Sequence, residues 1–462
     1  MPLAGWIQEL ADGLGPDKVL TTPVDRIAYS FDGTFEQHLP DAVALPETNE
    51  DVQVAVRIAA QHRVPVLARG MSSGLAGGSI PTQGGLVLSL TRMSRILEID
   101  QENMTATVEA GVITADMQAA VESVGLFYPP DPSSNKQSTI GGNVACNAGG
   151  PRCLKYGVTG DYVMGLTIVL ADGRLLRTGG KTIKNVTGFN LSQMFVGSEG
   201  TLGIITEVLL KLIPKPTWAR TALVHFATLT DAGQAVYEVL RQGLLPATME
   251  LLDETAIACI EEATHLGLPL DVEALLLIES DGSDSEAVTR EIEAIADTCR
   301  SAGASRVEVA QDEVERAKLW RARRSVSPSL ARKAPNKLGE DITVPRSAIP
   351  EAIRRIKAIS QQYGLPIVVF GHAGDGNLHP NILFDRRDPE QWAKVGPMTS
   401  AIFQVALDLG GTLSGEHGIG TFKLPYMEKA LGATSLDVQW RVKEALDPLN
   451  ILNPSKVLPN RR

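Results

Sequence analysis

Cysteine is scarce in this chain. Cys146, Cys153, Cys259 and Cys299 are its four, scattered through 462 residues, and no pair has the spacing of a zinc ribbon or an iron–sulfur cluster. The chain therefore carries no cluster motif of its own, and its thiols are expected to be reduced packing residues. A run of about 20 apolar residues, long enough to span a bilayer, is also missing. Met1 to Trp6 lead into mixed polar sequence instead of a signal-peptide apolar region. These absences predict a soluble, cytoplasmic protein that reaches a membrane surface only through a partner. Basic charge is short as well: 43 Lys and Arg stand against 54 Asp and Glu, a net −11. Without a basic run this argues against a nucleic-acid binder, while an anionic substrate could still be met by a few local cations.

Length and glycine are plentiful. The length exceeds one ordinary core and predicts two or three domains, and 43 glycines are more than average composition supplies. Residues 41–46 read as a strand, 48–51 as the cap of a helix through Gln61, and 65–68 as a strand running into the loop 69–79. Four glycines within nine residues straight after a strand make a nest of backbone N–H groups suited to a diphosphate. That loop matches neither G-x-G-x-x-G nor G-x-x-x-x-G-K-[ST], so a different dinucleotide fold is required. Residues 85–90 and 106–110 follow as strands, with 114–124 as a helix. Residues 128–134 are stiff and extended because three prolines fix φ. Two further glycine stretches, 138–150 and 196–206, adjoin strands, and three such loops in one region fit the bracketing of one long cofactor. Pro214-Lys215-Pro216 marks a boundary. Beyond it 222–226 and 274–280 read as strands, and 231–242 and 285–302 as helices. Trp320 is followed on a charged helix, 313–324, by Arg321, Arg323 and Arg324.

The seven histidines are not spread evenly. Residues 366–370 and 381–384 are short apolar strands, and between them lies Gly371-His372-Ala373-Gly374-Asp375-Gly376-Asn377-Leu378-His379-Pro380. Asp375-Gly376 is a preferred two-residue hairpin turn, so Gly374 should pair with Asn377 and His372 should stand directly opposite His379. Side chains so paired have Cβ atoms about 4.5–5.5 Å apart, which lets two ring nitrogens reach one ion. Residues 415–420 set Glu416 beside His417 among glycines. Adjacent side chains of extended chain point to opposite sides, so Glu416 completes a His2Glu set while His417 faces a substrate, or the reverse. His2Glu with an open position is a catalytic zinc ligand set, and manganese or iron suit the same donors.

Together, the stretches at 69–79, 130–134, 138–150 and 184–206 resemble the FAD-binding domain of the vanillyl-alcohol oxidase and p-cresol methylhydroxylase (PCMH) flavoprotein family. Residues 371–380 and 414–420 and the tail Asp447-Pro448-Leu449-Asn450-Ile451-Leu452-Asn453-Pro454 resemble its branch holding the glycolate oxidase flavoprotein subunit, D-lactate dehydrogenases and D-2-hydroxyglutarate dehydrogenase. The resemblance runs from about residue 41 to about residue 458. It implies an α+β protein: a two-subdomain PCMH-type FAD-binding domain over 1–215, a ferredoxin-like C-terminal substrate- and metal-binding domain over 216–440, and a segment 441–462 packing back on the FAD domain. FAD contacts are implied at Arg69, Gly70, Met71, Ser72, Ser73, Gly74 and Leu75, then at Pro130, Asp131, Ser133 and Ser134. They continue at Thr139, Gly141, Gly142, Asn143, Asn147, Ala148, Gly149 and Gly150, at Tyr156 and Gly157, and at Glu199, Gly200, Gly203, Ile204, Ile205 and Asn453. Met71-Ser72-Ser73 departs from a loop that is often richer in glycine and carries a Thr, a change that backbone recognition tolerates. Some relatives bind FAD covalently through a His, but none occurs here between His62 and His225, so the FAD is expected to be noncovalent.

The resemblance further implies oxidation of a small 2-hydroxy acid, glycolate or D-lactate, to the 2-keto acid, with hydride passing to flavin N5. His417 is then the base. A divalent metal (zinc, alternatively manganese or iron) on His372, His379 and Glu416 polarises the hydroxyl, with Asn377 and Asp375 as supporting groups. Arg323, with Arg321 as fallback, grips the carboxylate, and Lys337 is a further candidate. Electrons must leave to an iron–sulfur subunit, a quinone or an electron-transfer flavoprotein, in a homodimer or hetero-oligomer. Three alternatives stay open: D-2-hydroxyglutarate as substrate, a noncatalytic flavin-binding subunit of a glycolate oxidase complex, and group exchange as in ether-lipid synthases.

Overall fold

The computed structural model describes residues 4–461. The chain falls into two compact units. Unit one comprises the chain up to Gly149, Val158–Lys215 and the chain from Glu416 onward, and unit two comprises Gly150–Gly157 and Pro216–Gly415. The last crossing between units thus falls at Gly415/Glu416, where the sequence suggests a boundary at 440/441.

In unit one, β1 (Val19–Leu20), β2 (Ala42–Ala44), β3 (Val66–Arg69) and β4 (Leu86–Ser89) form a sheet in the order β1-β2-β4-β3. β2 and β3 both run parallel to β4. Parallel strands need a crossover, which the helix Asn49–His62 supplies between β2 and β3. Thr48 starts that helix by accepting the Asp51 N–H at 3.1 Å, and Val52, Ala55, Val56 and Ala59, at helical spacing, form its buried stripe. The glycine loop 70–78 leaves the carboxyl end of β3, the end where open α/β sheets bind ligands.

Seven more strands follow in this unit: β5 (Ile96–Asp100), β6 (Thr105–Glu109), β7 (Leu126–Phe127), β8 (Val163–Val169), β9 (Leu175–Gly179), β10 (Ile204–Lys211) and β11 (Ile213–Pro214). Five build an antiparallel sheet, β5-β6-β10-β8-β9, and β7 pairs with β11. The C-terminal segment enters the core of the first sheet. Ile451 and Leu452 are buried, the Val66 N–H donates to Ile451 O, and the Asn453 N–H to Val66 O, both at 2.7 Å.

Unit two is built on β12 (Trp218–Phe226), β13 (Thr248–Asp253), β14 (Ala274–Gly282), β15 (Ala304–Val309), β16 (Asn336–Gly339), β17 (Ile342–Thr343), β18 (Ile367–His372) and β19 (Asn377–Phe384). They form one antiparallel sheet in the order β15-β12-β14-β13-β18-β19-β16, with β17 also on β19. Helices cover both faces of this sheet. Consecutive residues Ala222, Leu223 and Val224, and again Leu275, Leu276 and Leu277, are all buried, which an open face would not allow. The helices Glu254–Thr264 and Val326–Lys333 pack with Leu223, Leu252, Leu277 and Phe370 on one face. Leu229–Arg241, Ser285–Ser301 and Ile349–Tyr363 also lie against strands of this sheet.

No described helix is long and apolar enough to cross a membrane. Cys259 and Cys299 are buried, and burial pushes the Cys146 and Cys299 thiols up to about 12.

Candidate active site

The histidine hairpin forms, but in a different register from the one expected. His372 pairs with Asn377, and Phe370 with His379, so residues 373–376 make a four-residue turn. His372 O accepts the Asp375 N–H at 3.3 Å and the Gly376 N–H at 3.0 Å. A two-residue type I′ turn needs positive φ at both central residues, and of Asp375-Gly376 only Gly376 has it, at +86°. A Cβ on Gly376 would also stand 2.1 Å from the Val344 carbonyl oxygen. His379 is consequently the diagonal neighbour of His372 on the same face of the sheet, still within reach. The two rings meet edge to face with centroids 5.2 Å apart, and their Nε2 atoms are separated by 3.4 Å.

A buried carboxylate stands beyond each ring. Glu250, on β13 directly across from His372, places Oε1 2.6 Å from His372 Nδ1. Asp341 Oδ1 lies 3.8 Å from His379 Nδ1 and accepts from Asn377 Nδ2 at 2.6 Å, while its Oδ2 accepts from Ser414 Oγ at 2.8 Å and the Gly415 N–H at 2.9 Å. Burial opposes the charge on Glu250, but His372 and Arg323 beside it hold its carboxyl at about 2. An ionised carboxylate only accepts hydrogen bonds, so the His372 proton at that contact belongs to Nδ1 and the ring's other nitrogen is turned toward His379. Two imidazole nitrogens facing each other at this distance form a poor hydrogen bond. The edge of a tetrahedron with metal–nitrogen bonds of about 2.0–2.1 Å is about 3.3–3.4 Å, so the pair fits a divalent ion.

Of the three arginines on the helix Glu313–Arg324, Arg321 and Arg324 are exposed and Arg323 is buried. Its Nε donates to Glu250 Oε2 at 2.6 Å, and its guanidinium lies 5.0 Å from the centroid of the Phe370 ring. Lys337, opposite Leu383 on β19, is on the same face as His379. It donates to Ser327 Oγ, and burial pushes its pKa down. Sequence reasoning missed Glu250 and Asp341. The signal for Glu250 was a single acid in the apolar run Met249-Glu250-Leu251-Leu252.

In unit one the cofactor loops converge. Among the described residues, the amides of Met71 to Leu75 donate to no backbone carbonyl, and Ser72 is left-handed at φ +57°. A row of amides without carbonyl partners beyond a strand fits a diphosphate. Arg69 shapes this loop: its buried guanidinium donates to Phe31 O at 2.8 Å and Ser79 O at 3.2 Å, and burial lowers its pKa to about 10. The stretch at 138–150 contains a short helix, Ile140–Cys146, which Thr139 caps by accepting the Gly142 N–H at 3.2 Å. Asn143 and Asn147 hold backbone and hydroxyl partners there: Asn143 Nδ2 donates to Thr114 Oγ1 at 2.7 Å, and Asn147 Oδ1 accepts the Gly160 N–H at 2.8 Å. Asp131 accepts from Asn135 Nδ2 at 2.9 Å, while Ile204 and Ile205 begin β10 with buried side chains. Gly150, Tyr156 and Gly157 lie in unit two, where the Tyr156 hydroxyl donates to Asp281 Oδ1 at 2.7 Å.

Glu416 and His417 open the last segment of unit one, both half-buried. The segment they open is held at Glu199 in the third glycine loop, whose carboxylate accepts the Ile419 N–H at 2.6 Å and the Gly420 N–H at 2.9 Å. Gly418, at φ +86°, leaves no space for a side chain because a Cβ would stand 2.8 Å from Glu199 Oε1. Asn453 Nδ2 then bridges two loops, donating to Gly78 O at 3.0 Å and Glu199 O at 2.7 Å.

The fold can be placed among solved structures. It is similar to p-cresol methylhydroxylase with substrate bound, with a TM-score of 0.82 at 19% identity over 99% of this chain and 97% of that one. It is also similar to an alkyldihydroxyacetonephosphate synthase, with a TM-score of 0.76 at 20% identity over 99% of this chain and 86% of that one. Likeness at such identity concerns fold alone, and it defines the class, a fold of PCMH type. Residues 40–179 match the model of the FAD binding domain and residues 215–457 that of the FAD linked oxidases, C-terminal domain. The chain belongs to the FAD-linked oxidase family and is an FAD-dependent oxidoreductase. It is 47% identical over 451 residues to the glycolate oxidase subunit GlcD of Bacillus subtilis (strain 168), covering 97% of this chain and 96% of the relative. It is 39% identical to GlcD of Escherichia coli (strain K12), over 96% and 88%, and 36% identical to the D-lactate dehydrogenase of Archaeoglobus fulgidus, over 98% and 99%.

Proposed function

We propose that this protein oxidises a small 2-hydroxy acid, glycolate or D-lactate, to the corresponding 2-keto acid. The observation that carries the proposal is the pair of Nε2 atoms 3.4 Å apart, with ionised Glu250 joining His372 to a buried Arg323. Relatives that cover nearly the whole chain, a glycolate oxidase subunit and a D-lactate dehydrogenase, support the substrate class. His372, His379 and Glu416 would hold the ion, with zinc, manganese or iron all suited to these donors, and the loops at 70–78, 139–149 and 199–203 would hold FAD noncovalently. When bound, FAD supplies a two-electron acceptor and the ion supplies Lewis acidity toward the substrate hydroxyl.

The chain's own side chains do the rest. Arg323 keeps its two terminal nitrogens to receive the substrate carboxylate while Nε stays on Glu250, and Lys337 adds a second cation. His417 takes the hydroxyl proton on its imidazole. The substrate loses two electrons and two protons in all. The electrons then pass to an iron–sulfur subunit, a quinone or an electron-transfer flavoprotein, and such a partner would hold this cytoplasmic chain at a membrane.

The test is anaerobic bleaching of the flavin absorbance with glycolate, D-lactate, L-lactate and D-2-hydroxyglutarate, before and after chelation. Chelator-sensitive bleaching by glycolate or D-lactate is expected. Bleaching by D-2-hydroxyglutarate alone would replace the substrate assignment. Flavin unbleached by all four would favour a noncatalytic subunit.

A further inference from the structure

We propose that Glu250 is a positioning residue that sets the tautomer of His372, and so the metal affinity of the site, while one of its oxygens aims Arg323. This inference rests on the function proposed above. Glu250 is fully buried, and the strand register sets it directly opposite His372. Each of its oxygens has a separate duty: Oε1 meets His372 Nδ1 and Oε2 accepts from Arg323 Nε, both at 2.6 Å. With the proton held on Nδ1, Nε2 presents its lone pair toward the point it shares with His379 Nε2. A proton on Nε2 instead would lie in the 3.4 Å gap between the two rings and exclude a cation.

Glu250→Gln makes the tautomer visible. Arg323 has only donors, so it claims the single amide oxygen, and the amide N–H2 is left facing His372 Nδ1. That nitrogen must then accept, which moves the ring proton to Nε2, the wrong atom for a ligand. Replacing Arg323 as well returns the amide oxygen to His372 and restores the Nδ1–H form without the charge.

The experiment titrates the FAD-loaded protein, stripped of metal, with zinc against a chromophoric chelator. Glu250→Gln is expected to weaken zinc binding about 10–100-fold, the usual effect of removing an outer partner of a metal-binding histidine. Arg323→Met should stay within about threefold of the unsubstituted protein, and the double variant should bind more tightly than Glu250→Gln alone. Glu279→Gln serves as the control. Glu279 is another buried carboxylate on this sheet, accepting from Arg316 Nε at 2.8 Å and Trp320 Nε1 at 2.7 Å, and its loss should leave zinc affinity unchanged.

Unaltered affinity in Glu250→Gln, or a double variant no tighter than it, would overturn the inference. Should Glu250→Gln fail to fold because it strands a buried guanidinium, Glu250→Leu combined with Arg323→Met, which removes the Glu250 acceptor from His372 Nδ1, is compared with Arg323→Met alone: zinc binding should weaken by about tenfold or more, and equal affinities would sink the idea. An unsubstituted protein that bound none of zinc, manganese and iron(II) would instead overturn the metal site itself.

Discussion

Glu199→Gln tests how the segment bearing His417 is held. The buried carboxylate accepts two amides, those of Ile419 and Gly420, at 2.6 and 2.9 Å. Glutamine has the same size but one acceptor oxygen, so it keeps one of these bonds and turns an N–H2 toward the other amide. A hydrogen bond to a charged group contributes about 1.5–3 kcal/mol, and an unsatisfied buried donor costs about 1–3 kcal/mol. Allowing for partial relaxation, unit one should lose about 2–4 kcal/mol. At about 2–4 °C per kcal/mol for domains of 150–250 residues, the melting temperature should fall by about 5–15 °C. Calorimetry of the FAD-loaded protein measures this, and amide exchange at Ile419 and Gly420 should quicken by about 30–1000-fold, a factor of ten for each 1.4 kcal/mol. Burial raises the carboxyl's pKa, while the two amides and the amines of Lys423 and Lys456 oppose it. A protonated glutamic acid and a glutamine are close mimics. Unchanged melting and exchange in the variant would therefore mean that Glu199 is already protonated, and the anchoring argument would fail.

Further expectations follow from other residues. His417→Ala should slow flavin reduction by about 10²–10⁴-fold while FAD stays bound, as read by stopped-flow absorbance; normal reduction would remove His417 from the base role. Arg323→Met should raise KM for the 2-hydroxy acid by about tenfold or more with FAD content unchanged, and an unaltered KM would assign the carboxylate to another cation. Asp253 is fully buried and caps the helix Glu254–Thr264 through the Ala256 N–H; burial raises its pKa to about 7. Because the folded value is the higher one, its stabilising contribution is full below the ordinary value of 3.8 and is lost as pH rises through 7. The stability difference between the unsubstituted protein and Asp253→Asn should shrink by up to about 4 kcal/mol across that window. Urea midpoints at pH 3.5, 5, 6, 7 and 8 measure it, and a pH-independent difference would mean that Asp253 is ionised throughout.

Local patterns carried far in this chain. The helix Asn49–His62 was legible from its Thr48 cap and apolar spacing, and β3 with its glycine loop from the run Val66-Leu67-Ala68. The helix Ile140–Cys146 was not, because Gly141 and Gly142 lower its propensity and the Thr139 cap and surrounding packing override them. The hairpin register was misjudged because Asp-Gly favours a two-residue turn, yet close approach of the Val344 carbonyl oxygen and a single positive φ select a four-residue one. The candidate site was half visible. His372 and His379 are close in sequence and sit in a marked motif. Glu250 lies 122 residues before His372, and only strand pairing brings them together. The family resemblance ranked Arg323 above Arg321, but it could not reveal that Arg323 is the buried one of the three, its Nε donating to Glu250.

The brace on the flavin loop has a consequence for synthesis. Asn453 holds Gly78 O from 375 residues further along the chain. At about 5–20 residues per second, a ribosome needs roughly 20–75 s to cover that distance. For that interval the nascent loop exists without its clamp, and Leu452 has yet to lie alongside Val66. Assembly of this loop is thereby postponed until Asn453 has been made, 375 residues after Gly78, so a loop made early waits for a clamp made late.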